Sequence, residues 1–403
     1  MLFKLNLTAD QQRNLVRIIS LACYVLVAGY GIMAIYLLSG LWTKPGLFYS
    51  TGNPAGADFI QLWAASSLAL QGHPASIYNP DALKTAETAF LGGSFKGYMA
   101  CHLAPSFLVT IVPISYIPYL VALFIWLAIP LCGLMVIVSK IAPYPITLRL
   151  ALAFPAIPLN LFYGQSGFLI TFLMGAGLLL LDSSPIISGI LFGLILNYKP
   201  HLGLLIFVAL LAGRHWKACG AIILATLSLI IVSLWVLGID TWIAFFKNIS
   251  YVSSILKNDS IIWDRMVTIF ALVRLQGGSA WLAMVLQFIV TGATIIFVSL
   301  VWRRGYSMPV RSSVLVLGTF LCSPYAFEYD LTLLLLPLAW FAVENFQENW
   351  LTAKGVLFGL LWYSPVLNKV TVAIAGVPIA PLVIAIFMLS LIRPSGQFSL
   401  KPG

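Results

Sequence analysis

The sequence predicts an all-α polytopic membrane protein, a single integral domain over residues 1–403 with two long loops on one face. Three observations predict it. Hydrophobic residues make up 61% of the chain and charged residues 8%, where a soluble domain carries roughly 25% charge. So few charges cannot cover a water-facing surface, which leaves the bilayer as the main solvent. Apolar runs recur along the whole length, and the linkers and tails between them hold most of the Lys and Arg, the pattern of cytoplasmic segments. The net charge of +10 is dispersed singly between apolar runs, which suits membrane topology and argues against a nucleic-acid groove.

Taken in order, the run 16–39 follows Arg13 and Arg17. It is too long for the apolar core of a signal peptide and reads as an uncleaved first span. Residues 40–102 form the first long loop, with an amphipathic stretch 59–71 closed by Gly72 and a helix 81–90 opened after Asn79-Pro80. The segment 103–118 is short and carries Pro105, Pro113 and Pro118, so it is expected to re-enter or lie on the surface. Spans are expected at 120–139, 147–163, 166–181, 186–198, 200–213 and 216–237. The second long loop, 238–280, precedes spans at 281–302, 309–322, 331–343, 352–366 and 376–392. With 103–118 not crossing, about twelve crossings put every basic linker and both termini in the cytoplasm. These are Lys4 to Arg17, Lys140 to Arg149, Arg214 to Lys217, Arg303 to Arg311, Lys354 and the tail after Arg393.

The same alternation places five features outside: loop 40–102, the turn Tyr163-Gly164-Gln165, the break Lys199-Pro200, loop 238–280 and the turn Pro324 to Asp330. One extracytoplasmic site assembled from distant segments is the expectation. The run 186–198 would rise only about 20 Å as a helix, against a hydrocarbon core of about 30 Å, and 200–213 is about as short. Half-depth helices persist only where protein or a watery cavity satisfies their ends, so Lys199 is expected at a cavity wall.

Much chemistry is excluded. The five cysteines have no CxxC spacing and the four histidines no HExxH signature, so no metal is expected. No Gly-x4-Gly-Lys-Ser/Thr loop marks a nucleotide-driven pump. Of the twelve acids, Asp10, Asp182, Glu344 and Glu348 fall inside. Asp58, Asp81, Glu87, Asp240, Asp259, Asp264, Glu328 and Asp330 fall outside. Asp81 and Asp240 read as helix starts and Glu87 as a solvated face. Asp58 is either the first residue of a capping box with Gln61 or a base. Asp330 is either an N-cap or a sugar ligand.

Among the cations, Lys199 is a phosphate ligand or a snorkelling anchor. Lys257, Arg265 and Arg274 interleave with Trp263, Met266 and Phe270 as an amphipathic interfacial helix, with Arg265 the preferred second phosphate ligand. Gln165 either binds a sugar hydroxyl or caps a span. Tyr325, Glu328, Tyr329 and Asp330 line one turn, and Trp63 belongs to an aromatic set that suits both sugar stacking and an interfacial belt. His73 and His102 read mainly as structural, His201 directly follows the Lys199-Pro200 break, and His215, among cytoplasmic basic residues, reads as solvated.

These stretches resemble glycosyltransferase family 87, the group similar to polyprenyl-phosphate-mannose-dependent mannosyltransferases with a GT-C fold. The resemblance is carried by Asp58-Phe59 with Trp63-Ala64-Ala65, Gly72…Tyr78 and Gly164-Gln165. It continues with Gly189…Gly193…Tyr198-Lys199-Pro200 and Ser323-Pro324-Tyr325…Tyr329-Asp330-Leu331, over roughly residues 55–335. Two departures are His102-Leu103-Ala104-Pro105, where paired prolines are expected, and Tyr325, where many relatives show histidine. The resemblance implies a GT-C-like bundle with Asp58 as catalytic base. It implies an enzyme of the plasma (cell inner) membrane that moves a hexose, with mannose expected, from a polyprenyl-phosphate-sugar donor to a lipid or glycan acceptor outside, with no cofactor. Such chemistry needs one carboxylate to take the acceptor proton and cations to steady the departing phosphate. A single displacement with one base inverts the anomeric carbon. The competing readings are a secondary transporter, which would also use broken helices and a membrane-embedded lysine, and a non-catalytic lipid-carrier binding protein, which would need Lys199 but not Asp58.

Overall fold

A computed structural model describes residues 9–92, 95, 97–258, 263–345 and 353–392. Lys4, Asp259, Glu348, Arg393 and the side chains of Lys257, Glu344 and Lys354 lie outside the described residues. The described chain is helical, its only strand-like pairings being two isolated bridges. In order it runs through α1 (Ala9–Leu38), α2 (Ile60–Leu70), α3 (Pro80–Leu91), α4 (Pro105–Ile111), α5 (Tyr119–Ile141), α6 (Pro145–Leu152) and α7 (Ala156–Tyr163). It continues through α8 (Gly167–Leu180), α9 (Pro185–Tyr198), α10 (Pro200–Ala212), α11 (Trp216–Leu237), α12 (Ile239–Asn258) and α13 (Ile269–Leu275). The last helices are α14 (Ala280–Arg303), α15 (Met308–Cys322), α16 (Leu335–Asn345), α17 (Ala353–Trp362), α18 (Ser364–Ala375) and α19 (Ala380–Ser390).

The apolar surplus goes to the surface as well as the core. Ile35 on α1 is 72% exposed and Trp235 on α11 is 86% exposed, positions that only lipid makes comfortable. Among the described residues, four helices are long and apolar enough to cross a membrane, and up to six crossings result if each bent pair counts as one. Eight further apolar helices have 10–17 residues. Both bends fall inside expected continuous spans. The run 147–163 divides into α6 and α7 at 50°, and 352–366 belongs to α17 and α18 at 68°. Proline supplies the reason: Pro155 pushes Phe154 off helical geometry, and Pro365 sits in the first turn of α18.

The segment 103–118 forms the seven-residue α4 and a 3-10 turn, Val112–Tyr116, packed against α11 and α2. At the Lys199-Pro200 break, Pro200 opens α10. The glycines of the Gly189…Gly193 stretch have a packing reason, since a Cβ at Gly189 would lie 2.4 Å from the Ala218 carbonyl on α11.

Two expectations are corrected. The basic–aromatic stretch of the second loop is not one amphipathic helix, because a 3-10 turn (Trp263–Arg265) and α13 break it. Trp263, Met266 and Phe270 face inward and pack with Ala283 and Phe327, since a buried protein pocket covers more of each side chain than a headgroup layer does. Glu87 is not on a solvated face. It is fully buried on α3 and accepts the Met99 N–H at 3.1 Å, because the stretch before α4 folds back over it.

Candidate active site

The first loop is bound to the 163–165 turn by interlocked backbone. Gly56 and Gly164 both have left-handed φ, +64° and +67°. A Cβ at Gly164 would stand 2.8 Å from the Phe59 Cβ and 3.0 Å from the Gly56 Cα, so only glycine permits this approach. Tyr119 donates its hydroxyl to the Ala55 carbonyl at 2.6 Å, and Trp126 Nε1 donates to the Gly164 carbonyl at 3.2 Å. The Asp58 N–H donates to the Tyr163 carbonyl at 2.8 Å. Locked this way, the Asp58 carboxylate meets Gln165, whose Nε2 donates to Oδ2 at 2.5 Å. The capping-box reading is thereby overturned: α2 starts at Ile60, the cap position is Phe59, and no side chain caps it.

Two cations stand near this carboxylate, each tied to a different acid of one turn. Lys199 Nζ lies 2.6 Å from Asp330 Oδ1 and 5.0 Å from the Tyr329 ring centre. Asp330 Oδ2 accepts the Phe327 N–H at 3.0 Å, so both its oxygens are engaged within the protein. Asp330 is not an N-cap, since it lies inside the 3-10 segment Asp330–Leu334 that Tyr329 precedes. Arg265 lays its guanidinium 4.3 Å from the Tyr163 ring centre, with Nε 3.8 Å from Glu328 Oε1. The backbones pair as well: Glu328 N–H donates to the Arg265 carbonyl at 3.0 Å and Val267 N–H to the Ala326 carbonyl at 2.9 Å. The second loop and the 323–330 turn are therefore one unit.

Burial raises the Asp58 carboxyl above the ordinary carboxylate value, opposed first by the Gln165 hydrogen bond and then by the charges of Arg265 and Lys199. Burial raises Glu328 too, against the pull of Lys369 and Arg265. Tyr325 stands edge-on to His201 at 5.9 Å, beside the lysine. Trp63 donates Nε1 to the Ile117 carbonyl at 3.1 Å, stacks on Phe90 at 4.0 Å and meets the Tyr119 ring edge-on at 6.1 Å.

The fold also uses residues that sequence reasoning passed over. Asn160 is fully buried on α7. Its Nδ2 lies 3.0 Å from the Tyr329 carbonyl and 2.8 Å from Thr332 Oγ1, and its Oδ1 accepts the Gly167 N–H at 2.8 Å. It fastens the lysine-bearing side of the site to the start of α8. An asparagine inside an apolar span was the available signal, because a polar group at that depth needs a built partner set. Tyr163, the ring beneath Arg265, offered no comparable signal.

The arrangement is a half-buried carboxylate held by an amide beside two cations. It can accept a proton from a hydroxyl while positive charge faces a leaving anion. A family model described as glycosyltransferase family 87 matches residues 104–324, more than half of the chain. That stretch contains Gln165, Lys199 and Arg265, and Asp58, Trp63, Tyr325 and Asp330 flank it. No curated protein and no solved structure matches.

Proposed function

The chain belongs to glycosyltransferase family 87, and from that membership we propose that it is an inverting hexosyltransferase using a polyprenyl-phosphate sugar, with mannose the expected hexose. In this reading Asp58 takes the proton of an acceptor hydroxyl as its oxygen bonds to the anomeric carbon. The bond from that carbon to the phosphate oxygen breaks, and polyprenyl phosphate departs with one more negative charge than the donor phosphodiester held. Lys199 and Arg265 answer that charge, which is where electrostatic stabilisation acts on a rate. Asp330 and Glu328 position the two cations, Gln165 orients the base, and Tyr325 lines the sugar side. The short helices complete a bundle of about twelve crossings that turns the site to the outer face of the cell membrane, where a lipid or glycan acceptor meets the donor.

The observation that carries the reading is the Asp58–Gln165 contact with both cations in electrostatic reach. A carboxylate lifted above its ordinary pKa by burial is a stronger base than an exposed one. Asp58→Asn tests it cleanly, because the cap role is gone and Gln165 can turn its amide to keep the hydrogen bond. The folded variant is expected to lose at least roughly 100-fold in turnover, the lower range for a missing general base. Single-turnover transfer from a synthetic polyprenyl-phosphate hexose is the measurement, and parent-like turnover would remove Asp58 from the chemistry.

A further inference from the structure

The far end of the bundle holds a second group of polar side chains that the transfer reaction leaves unused. The 13-residue α10 runs from the Lys199 break towards His215, and the 15-residue α15 runs from the Arg311 end to the Ser323 turn. His215 and Arg311 therefore lie a helix length from Asp58. Between them sits the Trp302 ring, 2% exposed. His215 meets it edge-on at 5.8 Å, and the Arg311 guanidinium lies 5.4 Å from its centre. Trp302 Nε1 donates to the Arg311 carbonyl at 3.1 Å, and the Arg311 N–H donates to the Ser307 carbonyl at 3.0 Å.

In this corner His215 Nε2, Arg311 Nε and Ser307 Oγ are buried and have no hydrogen-bond partner among the described residues. The hydroxyl of the neighbouring Ser312, itself fully buried, also has none. Asp182 acts electrostatically on both His215 and Arg311 but forms no ion pair with either. Arg214, Lys217, Arg303 and Arg304 surround the corner in exposed positions. Topology explains why basic residues collect at one end of a membrane protein. It does not explain several donors held out of water without acceptors, which native folds avoid. Donors around a guanidinium, with positive charge in excess, match the oxygens of a phosphate.

We propose that this corner binds the headgroup phosphate of an anionic phospholipid. The lipid source is favoured by the adjoining wall of α11, where Trp216, Ile223, Leu224 and Leu227 are 63%, 49%, 68% and 50% exposed. Acyl chains can lie along that wall while the phosphate takes its bonds from Arg311, Ser307 and His215, the arrangement of a basic pocket between membrane helices.

The test is native mass spectrometry of the purified full-length chain with phosphatidylglycerol, phosphatidylcholine or inorganic phosphate added. The parent should retain one phosphatidylglycerol and should not retain phosphatidylcholine. Arg311→Gln should weaken that retention about ten-fold, the scale of one lost charge-assisted hydrogen bond. Ser307→Ala combined with His215→Gln should weaken it as well, which keeps the proposal open to refutation if Arg311→Gln misfolds. The exposed pair Arg303→Gln and Arg304→Gln should retain lipid like the parent. Equal retention by all variants overturns the proposal. So does equal loss in the exposed-arginine control, which would mean diffuse charge attraction. Displacement of the lipid by millimolar inorganic phosphate would assign the corner to free phosphate instead.

Discussion

As the proposed base, Asp58 would act only in its ionised form, so the acid limb of the rate profile should follow its own titration. Burial lifts that titration, and Gln165, Arg265 and Lys199 each pull it back down. The sign of a substitution follows directly: removing a group that favours the carboxylate raises the carboxyl pKa further. In Arg265→Gln the acid limb of kcat/KM should move to higher pH, and in Gln165→Leu it should move the same way. Rate–pH profiles of the two variants against the parent measure this, and coincident limbs would mean that neither group acts on the base. The motif at Asp58 was visible in the sequence, but its surroundings were not. The pattern Asp58 with Gln61 satisfies a capping box on paper, and only the approach of Gly164 to Gly56 turns the carboxylate towards Gln165.

At the level of an element, α3 shows how local pattern misleads. Its polar positions read as a solvated surface, yet the stretch before α4 covers Glu87 and lifts its carboxyl to about 7 from an ordinary 4.5. Between those two values the folded chain keeps a proton that the unfolded chain has released. Stability therefore falls as pH rises through that window and levels off above it. Glu87→Gln should flatten this slope, leaving the variant the more stable protein at neutral pH relative to the parent. Thermal unfolding of the detergent-solubilised proteins across the window reads the difference, and parallel curves would show that Glu87 titrates normally. The breaks in the spans were partly legible because proline acts locally: Pro200 and the prolines of 103–118 marked theirs, whereas Pro155, which carries the same signal at the α6–α7 bend, was passed over inside a continuous apolar run.

For the whole molecule, composition and the distribution of Lys and Arg made the membrane class legible, because lipid acts on averages over many residues. Pairing was not legible. Lys199 and Asp330 are 131 positions apart, and nothing local to either chooses its partner. The orientation of the bundle is open to direct measurement. Single cysteines at Thr51 and Ser279, both exposed on the two long loops, should react with an impermeant maleimide in intact cells when the five native cysteines are replaced. Labelling only after permeabilisation would invert the bundle.

In the proposed mechanism, the ion pair between Lys199 and Asp330 makes donor capture an exchange of partners. A phosphate that takes the ammonium leaves the Asp330 carboxylate with the Phe327 N–H as its one remaining hydrogen bond among those described. The turn that also anchors Arg265 through Glu328 should then slacken at the moment of loading, so the second loop would sense occupancy through this turn as well as through Arg265 itself. Hydrogen–deuterium exchange reports this at one amide. Phe327 should exchange faster in the donor-saturated enzyme, and in Lys199→Met its exchange should not change when donor is added. Undiminished protection in the loaded parent would mean that the phosphate joins the pair instead of dividing it.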